Sequence, residues 1–145
     1  MEPARNTYAV TTVTAQRRPI FQSSVNADLL LKMLFDYRDR GRYALHGFVI
    51  MPEHIHVLLT PAKGQTIERC VQCIKGGFSH SLGTNRPGGL WQPGFHQHRI
   101  RDIEDFRNQL TYIAQNPDRR NLHGHRYVHT GFPDRLDLMT LQAPE

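Results

Sequence analysis

The chain has 145 residues and a formal net charge of +5, and this length suits one domain that can bury its own core. It contains no run of the roughly 20 apolar residues that a membrane-spanning helix needs, and its first residues lack the apolar stretch of a secretory signal. We therefore expect one domain over residues 1–145 that is soluble, cytoplasmic and without a membrane partner. The basic excess is compatible with a polyanionic partner, but it is also common on proteins that bind nothing acidic.

The first half of the chain predicts a strand, a helix and a β-hairpin. Runs rich in β-branched and aromatic residues indicate the strands, and apolar positions that repeat at intervals of three and four indicate the helix. Gly41 is placed to end the helix, and Pro52-Glu53 interrupts the hairpin. The expected elements are a strand over residues 7–14, a helix from Val25 to Tyr37, and strands over residues 43–51 and 54–60.

The second half predicts a helix, a strand and a final helix. Thr66 and Asp102 are residue types that cap helix N-termini. Pro117 disfavours continuation of the last helix, because its ring crowds the preceding residue out of the helical conformation. The expected elements are a helix from Ile67 to Leu82, a strand over residues 90–101 that is weak at Pro93-Gly94, and a helix from Asp102 to Asn116.

This order predicts an α+β fold, a ferredoxin-like βαββαβ antiparallel sheet with two helices on one face. The added C-terminal helix, which carries Tyr112, would lie against the sheet. Residues 118–145 have weak periodicity and are given no regular element. Cys70 and Cys73 are three apart on a predicted helix and are interpreted as buried thiols, with a redox pair as the alternative.

Two histidines stand out on the second strand of the hairpin. His54 and His56 are two residues apart, so their side chains share one face of a strand. Neutral imidazole is a common ligand of divalent metals. The spacing alone is weak evidence for a metal site, since surface or hydrogen-bonded histidines show it as well.

The final helix carries two polar side chains outside its apolar stripe. Tyr112 and Asn116 are four residues apart, so they lie on the same side of the last turn and can address one small volume. A tyrosine outside the buried stripe is not explained as core, although an exposed tyrosine beside a groove is an ordinary alternative. The stripe consists of Ile103, Phe106, Leu110 and Ile113.

Two segments resemble a known family. Residues 51–59, MPEHIHVLL, resemble the M-P-N-H-x-H-x-L-L segment of the IS200/IS605-like (Y1) tyrosine transposases of the HUH superfamily. Residues 112–117, YIAQNP, resemble their Y-I-x-x-N-P segment and point to the REP-associated tyrosine transposase branch. The likeness extends over about residues 7–122, with supporting matches at residues 17–21 (RRPIF), Lys75-Gly76, Trp91, Phe95 and residues 100–102 (IRD).

The resemblance implies a DNA transposase that is also a single-strand endonuclease and strand transferase. Tyr112 would be the nucleophile, and His54, His56 and the amide oxygen of Asn116 would bind a divalent metal. A phenol is a poor nucleophile at neutral pH unless a base or a metal assists it. Attack on single-stranded DNA with hairpin or palindromic structure would give a 5′-phosphotyrosine link and a free 3′ hydroxyl. Two imidazoles and one amide suit Mg²⁺ or Mn²⁺.

Basic residues near these motifs are candidates for contact with DNA phosphates. Solvated surface is the ordinary alternative for any single one. His96 and His98 would share one face of the last strand as further ligands, phosphate contacts or inert surface, and we favour the last two. The candidate DNA-binding residues are Lys75, Arg99, Arg101, Arg119 and Arg120.

The chain departs from the family pattern at two positions. Glu53 stands where Asn is frequent, beside the expected ligands, and Asp118 follows Pro117 where an apolar residue is usual. The tail matches poorly, so the DNA target stays open, as does the choice between monomer and homodimer. The alternatives to catalysis by Tyr112 are a non-catalytic single-stranded DNA-binding module and a phosphohydrolase that uses water.

Overall fold

A computed structural model describes residues 5–83, 89–119 and 136–137. Its strands form one antiparallel sheet in the order β2-β3-β1-β4. The predicted ferredoxin-like α+β fold is confirmed. The elements are β1 (Tyr8–Val13), α1 (Ser24–Asp39), β2 (Tyr43–Met51), β3 (His54–Pro61), α2 (Ile67–Leu82), β4 (His96–Arg99) and α3 (Ile103–Arg119), with short 3₁₀ turns at Ala15–Arg17 and Ile20–Gln22.

Different helices cover the two faces of the sheet. The larger apolar core lies between the sheet and the helices α1 and α2, and it includes Val10 and Val57 of the central strands. The alternate strand residues Ala9 and Leu58 face the other way and pack with Ile113 of α3. The last helix therefore lies on the face opposite α1 and α2, as an addition to the βαββαβ plan.

The two predicted N-caps are confirmed. The Thr66 hydroxyl accepts a hydrogen bond from the backbone N–H of Arg69 at 3.2 Å, and the Asp102 carboxylate accepts one from the backbone N–H of Asp105 at 2.8 Å. Each bond satisfies an N–H that has no partner inside its helix. Gly83, with φ of 71°, ends α2 in the left-handed conformation that a glycine adopts without strain.

The last strand is shorter than the sequence predicts. Only His96–Arg99 pairs with β1 over a continuous stretch, whereas Trp91 makes an isolated bridge with Thr14. Gly94 has φ of 77°, so the chain turns between these two pairings. The prediction of one strand over residues 90–101 was therefore wrong at its start.

The last helix is longer than predicted. It runs to Arg119 with Pro117 inside it, so the expected end at Asn116 was wrong. The conformational bias imposed by a following proline is local, and here Asn116 and Pro117 are both buried, which lets tertiary packing outweigh that bias. Ile103, expected in the apolar stripe, is 41% exposed because it lies in the first turn, beyond the apolar group under α3.

One described part of the tail is fastened to the edge strand β2. The backbone N–H of Asp137 donates to the Leu45 carbonyl at 2.7 Å, and the backbone N–H of Leu45 donates to the Asp137 carboxylate at 2.8 Å. Arg38 holds the same carboxylate through Nε and Nη2, and His46 Nδ1 lies 2.8 Å from the Asp137 carbonyl oxygen. Asp118, in the segment for which no regular element was predicted, belongs to the last turn of α3. That residues 1–145 form one domain stays a prediction.

Both cysteines are free thiols, Cys70 buried and Cys73 half-buried. Burial raises the pKa of Cys70 to about 11, which disfavours the reactive thiolate. The interpretation as a buried thiol is therefore confirmed for Cys70, whereas Cys73 is only half-buried. No helix within the described residues is long and apolar enough to cross a membrane.

Candidate active site

The two histidines of β3 face α3. His56 lies opposite Thr11 of β1, and His54 lies opposite Val13. Leu58, two residues after His56, belongs to the apolar group under α3. Because side chains two apart on a strand share a face, His54 and His56 lie on that same side of the sheet.

Each imidazole is held through its Nδ1 atom. His54 Nδ1 lies 2.9 Å from Glu53 Oε1, and His56 Nδ1 lies 2.7 Å from Thr11 Oγ1. The ionised Glu53 carboxylate can only accept, which favours the His54 tautomer with its proton on Nδ1 and its lone pair on Nε2, and the Thr11 hydroxyl can accept from His56 Nδ1 in the same way or donate to it. Histidines that bind metals are usually held in this way.

The Nε2 atom of His56 is buried, and within the described residues it has no hydrogen-bond partner. The side chain is 8% exposed. Burial lowers the pKa of His56 to about 4, while a weaker contact with the Gln109 side chain acts in the opposite direction and His54 adds to the lowering. The imidazole is therefore neutral at physiological pH, with a lone pair that a metal ion would use.

An ion held by His54 and His56 would take an amide as its third protein ligand. Across residues 5–83, 89–119 and 136–137, no three His, Cys, Asp or Glu side chains gather in a group that could hold an ion. A third ligand to such an ion from the described residues would therefore be of another type. Asn116 is 7% exposed and lies on α3, the helix that these imidazoles face.

Tyr112 contacts His56 directly. The centroids of their rings are 5.3 Å apart, and the ring planes are inclined at 59°. Tyr112 remains 42% exposed, so its phenol is accessible to a large substrate. The structure thus places side by side one predicted ligand and the predicted nucleophile, with Asn116 one helical turn beyond.

An open cavity of about 480 Å³ lies beside Tyr112, between α3 and the strands β1, β3 and β4. His98 of β4 is fixed there by Asp105, whose carboxylate oxygens lie 2.9 and 3.0 Å from its Nε2. The sequence reasoning missed Thr11 and Gln109. The two-residue period of β1 could have indicated that Thr11 faces α3. The three-residue spacing to Tyr112 could have indicated that Gln109 lies beside it on the same helix. The polar lining includes Thr11, His56, His96, His98, Gln109 and Tyr112.

A family model described as "Transposase IS200 like" matches residues 4–116. The chain belongs to the IS200-like transposase family. The matched range contains both histidines of β3, Tyr112 and Asn116. The resemblance seen in the two short segments therefore extends over most of the chain.

Relatives of this IS200-like chain include REP-associated tyrosine transposases. The protein of that name from Escherichia coli K12 is 35% identical over 81 residues, which are 55% of this chain and 47% of the relative. A solved REP-associated tyrosine transposase bound to a REP hairpin has 25% identity and a TM-score of 0.70, over 84% of this chain and 76% of its own. The chain spans about half the length of the curated relatives that it matches.

A second solved structure supports the fold alone. It is a protein from Deinococcus radiodurans R1, named as a candidate transposase, with 23% identity and a TM-score of 0.57. The alignment covers 80% of this chain and 97% of that one. Two solved chains thus share the arrangement of sheet and helices described for this IS200-like chain.

Lys75, a predicted DNA contact, holds the loop before β4. Its Nζ donates to the carbonyls of Gln92 and Gly94, both at 3.0 Å, and lies 5.9 Å from the centroid of a Trp91 ring. Burial lowers the pKa of Lys75. These contacts give the ammonium group a structural role in this IS200-like fold, and a DNA contact by Lys75 stays a prediction.

The predicted arginine contacts are placed differently. Arg99 is exposed on β4, one residue from His98 and thus on the other face of the sheet. The Arg101 side chain is 75% exposed, and its Nε lies 3.7 Å from the Asp105 carboxylate. The Arg119 side chain and the whole of Arg120 lie outside the described residues. DNA binding by these arginines stays a prediction for this family member.

Proposed function

We propose that this chain is a metal-dependent tyrosine transposase and nuclease that cleaves and rejoins single-stranded DNA. The contact between Tyr112 and His56 is the observation that carries the proposal. A half-exposed phenol lies against a buried imidazole whose Nε2 has no partner in the part of the chain that the structure describes. An accessible nucleophile beside an imidazole nitrogen without a partner supports a catalytic role for this contact more than a packing role.

The reaction is a transesterification at Tyr112. The phenol oxygen forms a bond to phosphorus and gives its proton to water, and the bond between phosphorus and the 3′ oxygen breaks. The departing 3′ oxygen takes a proton from water and becomes a hydroxyl. The phosphodiester passes to the tyrosine as a 5′-phosphotyrosine, so attack by another 3′ hydroxyl reverses the exchange and joins strands without an energy source.

The residues around Tyr112 fit a divalent ion, Mg²⁺ or Mn²⁺. His54, His56 and Asn116 would hold it, and the bound ion would supply positive charge to offset the charge that develops on the phosphate. Thr11 and Glu53 fix the two imidazole rings through Nδ1. The helix α3 fixes Tyr112 above the sheet, so the nucleophile is oriented before DNA binds.

Single-stranded DNA with a hairpin is the proposed substrate. A solved relative at 25% identity is bound to a REP hairpin, which supports this substrate class. The cavity beside Tyr112 would receive the scissile phosphate, and His98, fixed by Asp105, lies at its edge for phosphate contact. Because the proposed substrate is DNA, the location that we propose for the protein is the cytoplasm.

The test is a cleavage assay with Mn²⁺ and end-labelled single-stranded hairpin DNAs, resolved on denaturing gels. We expect Tyr112→Phe to lower the cleavage rate by at least about 10³-fold, as removal of a nucleophile does. Hairpin affinity should stay within about twofold, because the ring remains and only the hydroxyl is lost. Cleavage that survives in Tyr112→Phe would remove Tyr112 from the nucleophile role.

The same assay distinguishes the alternatives. Cleavage without a covalent protein–DNA adduct would indicate attack by water. Hairpin binding with neither cleavage nor adduct, over several DNA sequences, would indicate a non-catalytic DNA-binding module. Sedimentation of the DNA complex would show whether one chain or a homodimer binds each hairpin.

A further inference from the structure

Glu53 places a buried carboxylate against the first of the two histidines. It lies in the turn between β2 and β3, is 7% exposed, and its Oε1 is 2.9 Å from His54 Nδ1. Its backbone carbonyl accepts hydrogen bonds from the Thr14 N–H at 2.9 Å and the Thr14 hydroxyl at 3.1 Å. The main chain of Glu53 is therefore fastened to the end of β1.

The hydrogen bond to His54 does not by itself require a charged side chain at this position. Burial of a carboxylate costs several kcal/mol unless its partners compensate, and a neutral amide could accept the same hydrogen bond. The His56 ring shows the neutral solution, since the Thr11 hydroxyl holds its Nδ1. The two imidazoles thus differ in the charge of their partners.

We infer that Glu53 is a positioning residue that strengthens the hold of His54 on the divalent metal. The inference rests on the proposed function, because it takes His54 as a ligand. As an acceptor at Nδ1, Glu53 keeps the proton on that atom and directs the Nε2 lone pair toward the ion. Its negative charge makes the imidazole a stronger donor, as a carboxylate does behind metal-binding histidines.

This role would explain why the chain departs from the family segment at Glu53. The related segment has Asn where this chain has Glu53, and an amide can hold the ring without adding charge. With the same two histidines, this chain should therefore bind its ion more tightly than a variant that carries the amide. Metal affinity without DNA is the property that the charge controls.

The experiment titrates Mn²⁺ into the full chain without DNA and measures free Mn²⁺ by electron paramagnetic resonance. Glu53→Gln keeps the size and the hydrogen-bonding capacity of the side chain and removes its charge. We expect a 10- to 100-fold weaker affinity, the usual loss on removal of such a partner. Glu104→Gln, which removes an exposed acid of α3, is the matched control and should change the affinity less than twofold.

A second readout separates positioning from structure. In Glu53→Gln, cleavage should recover to within about threefold at saturating Mn²⁺, so the metal concentration at half-maximal rate rises while kcat is nearly kept. A lower melting temperature with unchanged Mn²⁺ affinity would show a purely structural role and overturn the inference. If Glu53→Gln fails to fold, Glu53→Asn is titrated in its place with the same expectation.

The failure of this inference is distinguishable from failure of the proposed function. If the unaltered chain binds no Mn²⁺, both are overturned. If the unaltered chain binds Mn²⁺, and Glu53→Gln and Glu104→Gln bind it equally well, only the role of Glu53 is overturned.

Discussion

The two faces of the sheet carry different kinds of side chain. On the face of α1 and α2, aromatic rings of Phe21, Phe78 and Trp91 contact one another with centroids 5.2 to 5.8 Å apart. On the face of α3, the apolar group is smaller, and next to it lie the polar side chains of His56 and Tyr112. The α1/α2 face is packed mainly with apolar rings, whereas the α3 side buries the polar groups of His56, Asp105 and Asn116 beside its smaller apolar group.

This difference marks the α3 face as the side of the sheet that holds the candidate site. A buried nitrogen with no partner costs about 1–3 kcal/mol, and His56 Nε2 is such an atom among the described residues. Thr12 Oγ1 on the opposite face is a second such atom, so the imidazole nitrogen indicates a functional site only together with its contact to Tyr112. Substitutions on each face test whether the two faces are as separate as the structure indicates.

The largest effect on stability should come from the apolar face. Phe78 is fully buried, so we expect Phe78→Ala to lower the free energy of unfolding by about 3–5 kcal/mol. Tyr112→Phe on the other face should change it by less than about 0.5 kcal/mol, because the residue is half exposed and keeps its ring. Urea unfolding measures both, and comparable losses would contradict the separation of the faces.

Two neighbouring glycines of α2 test how closely α1 and α2 pack on the apolar face. A Cβ at Gly77 would lie 2.6 Å from Tyr37 Oη of α1, whereas a Cβ at Gly76 would have nothing within 4 Å. Gly77→Ala should therefore destabilise the protein by about 1–2 kcal/mol through overpacking. Gly76→Ala should stabilise it by about 0.5–1 kcal/mol, since alanine is the better helix former.

Thermal or urea unfolding of the two glycine variants shows whether α1 and α2 pack closely at Tyr37 or have room for an added methyl group. Equal stabilisation by both substitutions would show that Tyr37 gives way freely. In that case α1 and α2 are not held together as tightly as their contacts indicate.

The smallest effect concerns pH and the edge of the sheet. Burial lowers the pKa of His46, so this ring stays neutral in the fold while the unfolded chain protonates it below about pH 6.5. The unfolded state then binds more protons than the folded state. The contribution of His46 to the free energy of unfolding is therefore complete above pH 6.5 and is lost as the pH falls toward the pKa of His46 in the folded protein. His46→Gln should flatten this decline below about pH 6.5, because the substituted side chain does not titrate.

Urea unfolding at several pH values measures the decline for both proteins. His56 contributes in the same direction, because its pKa is also lowered by burial, so some slope should remain in His46→Gln. Parallel curves for the two proteins would mean that His46 is protonated equally in the folded and unfolded states.

Local patterns sufficed for most elements of the fold. The strand over residues 43–51 was predicted with the bounds it has, and β3 extends one residue beyond the predicted 54–60, because both runs are apolar and end at a proline or turn. Thr66 and Asp102 act as caps because capping depends on atoms three residues away. Pro117 and the start of β4 were mispredicted because burial and pairing with β1 decide them.

The candidate site residues were named from the sequence, whereas their hydrogen-bond partners were not. The spacing of His54 and His56 fixed their shared face, and the resemblance implied their role with Tyr112. The contact of His56 with Thr11 depends on the register between β1 and β3, which the sequence does not encode locally. The carboxylate contact of Asp105 with His98 likewise depends on how α3 lies against β4.

The most direct test of the central claim is to find the atom that DNA becomes attached to. The full chain is incubated with Mn²⁺ and single-stranded hairpin DNA, digested with nuclease and protease, and the DNA-linked peptides are identified by mass spectrometry. We predict one nucleotide-linked peptide, modified at Tyr112 and absent when the metal is chelated. Cleaved DNA with no linked peptide, or with a link at another tyrosine, would contradict the account.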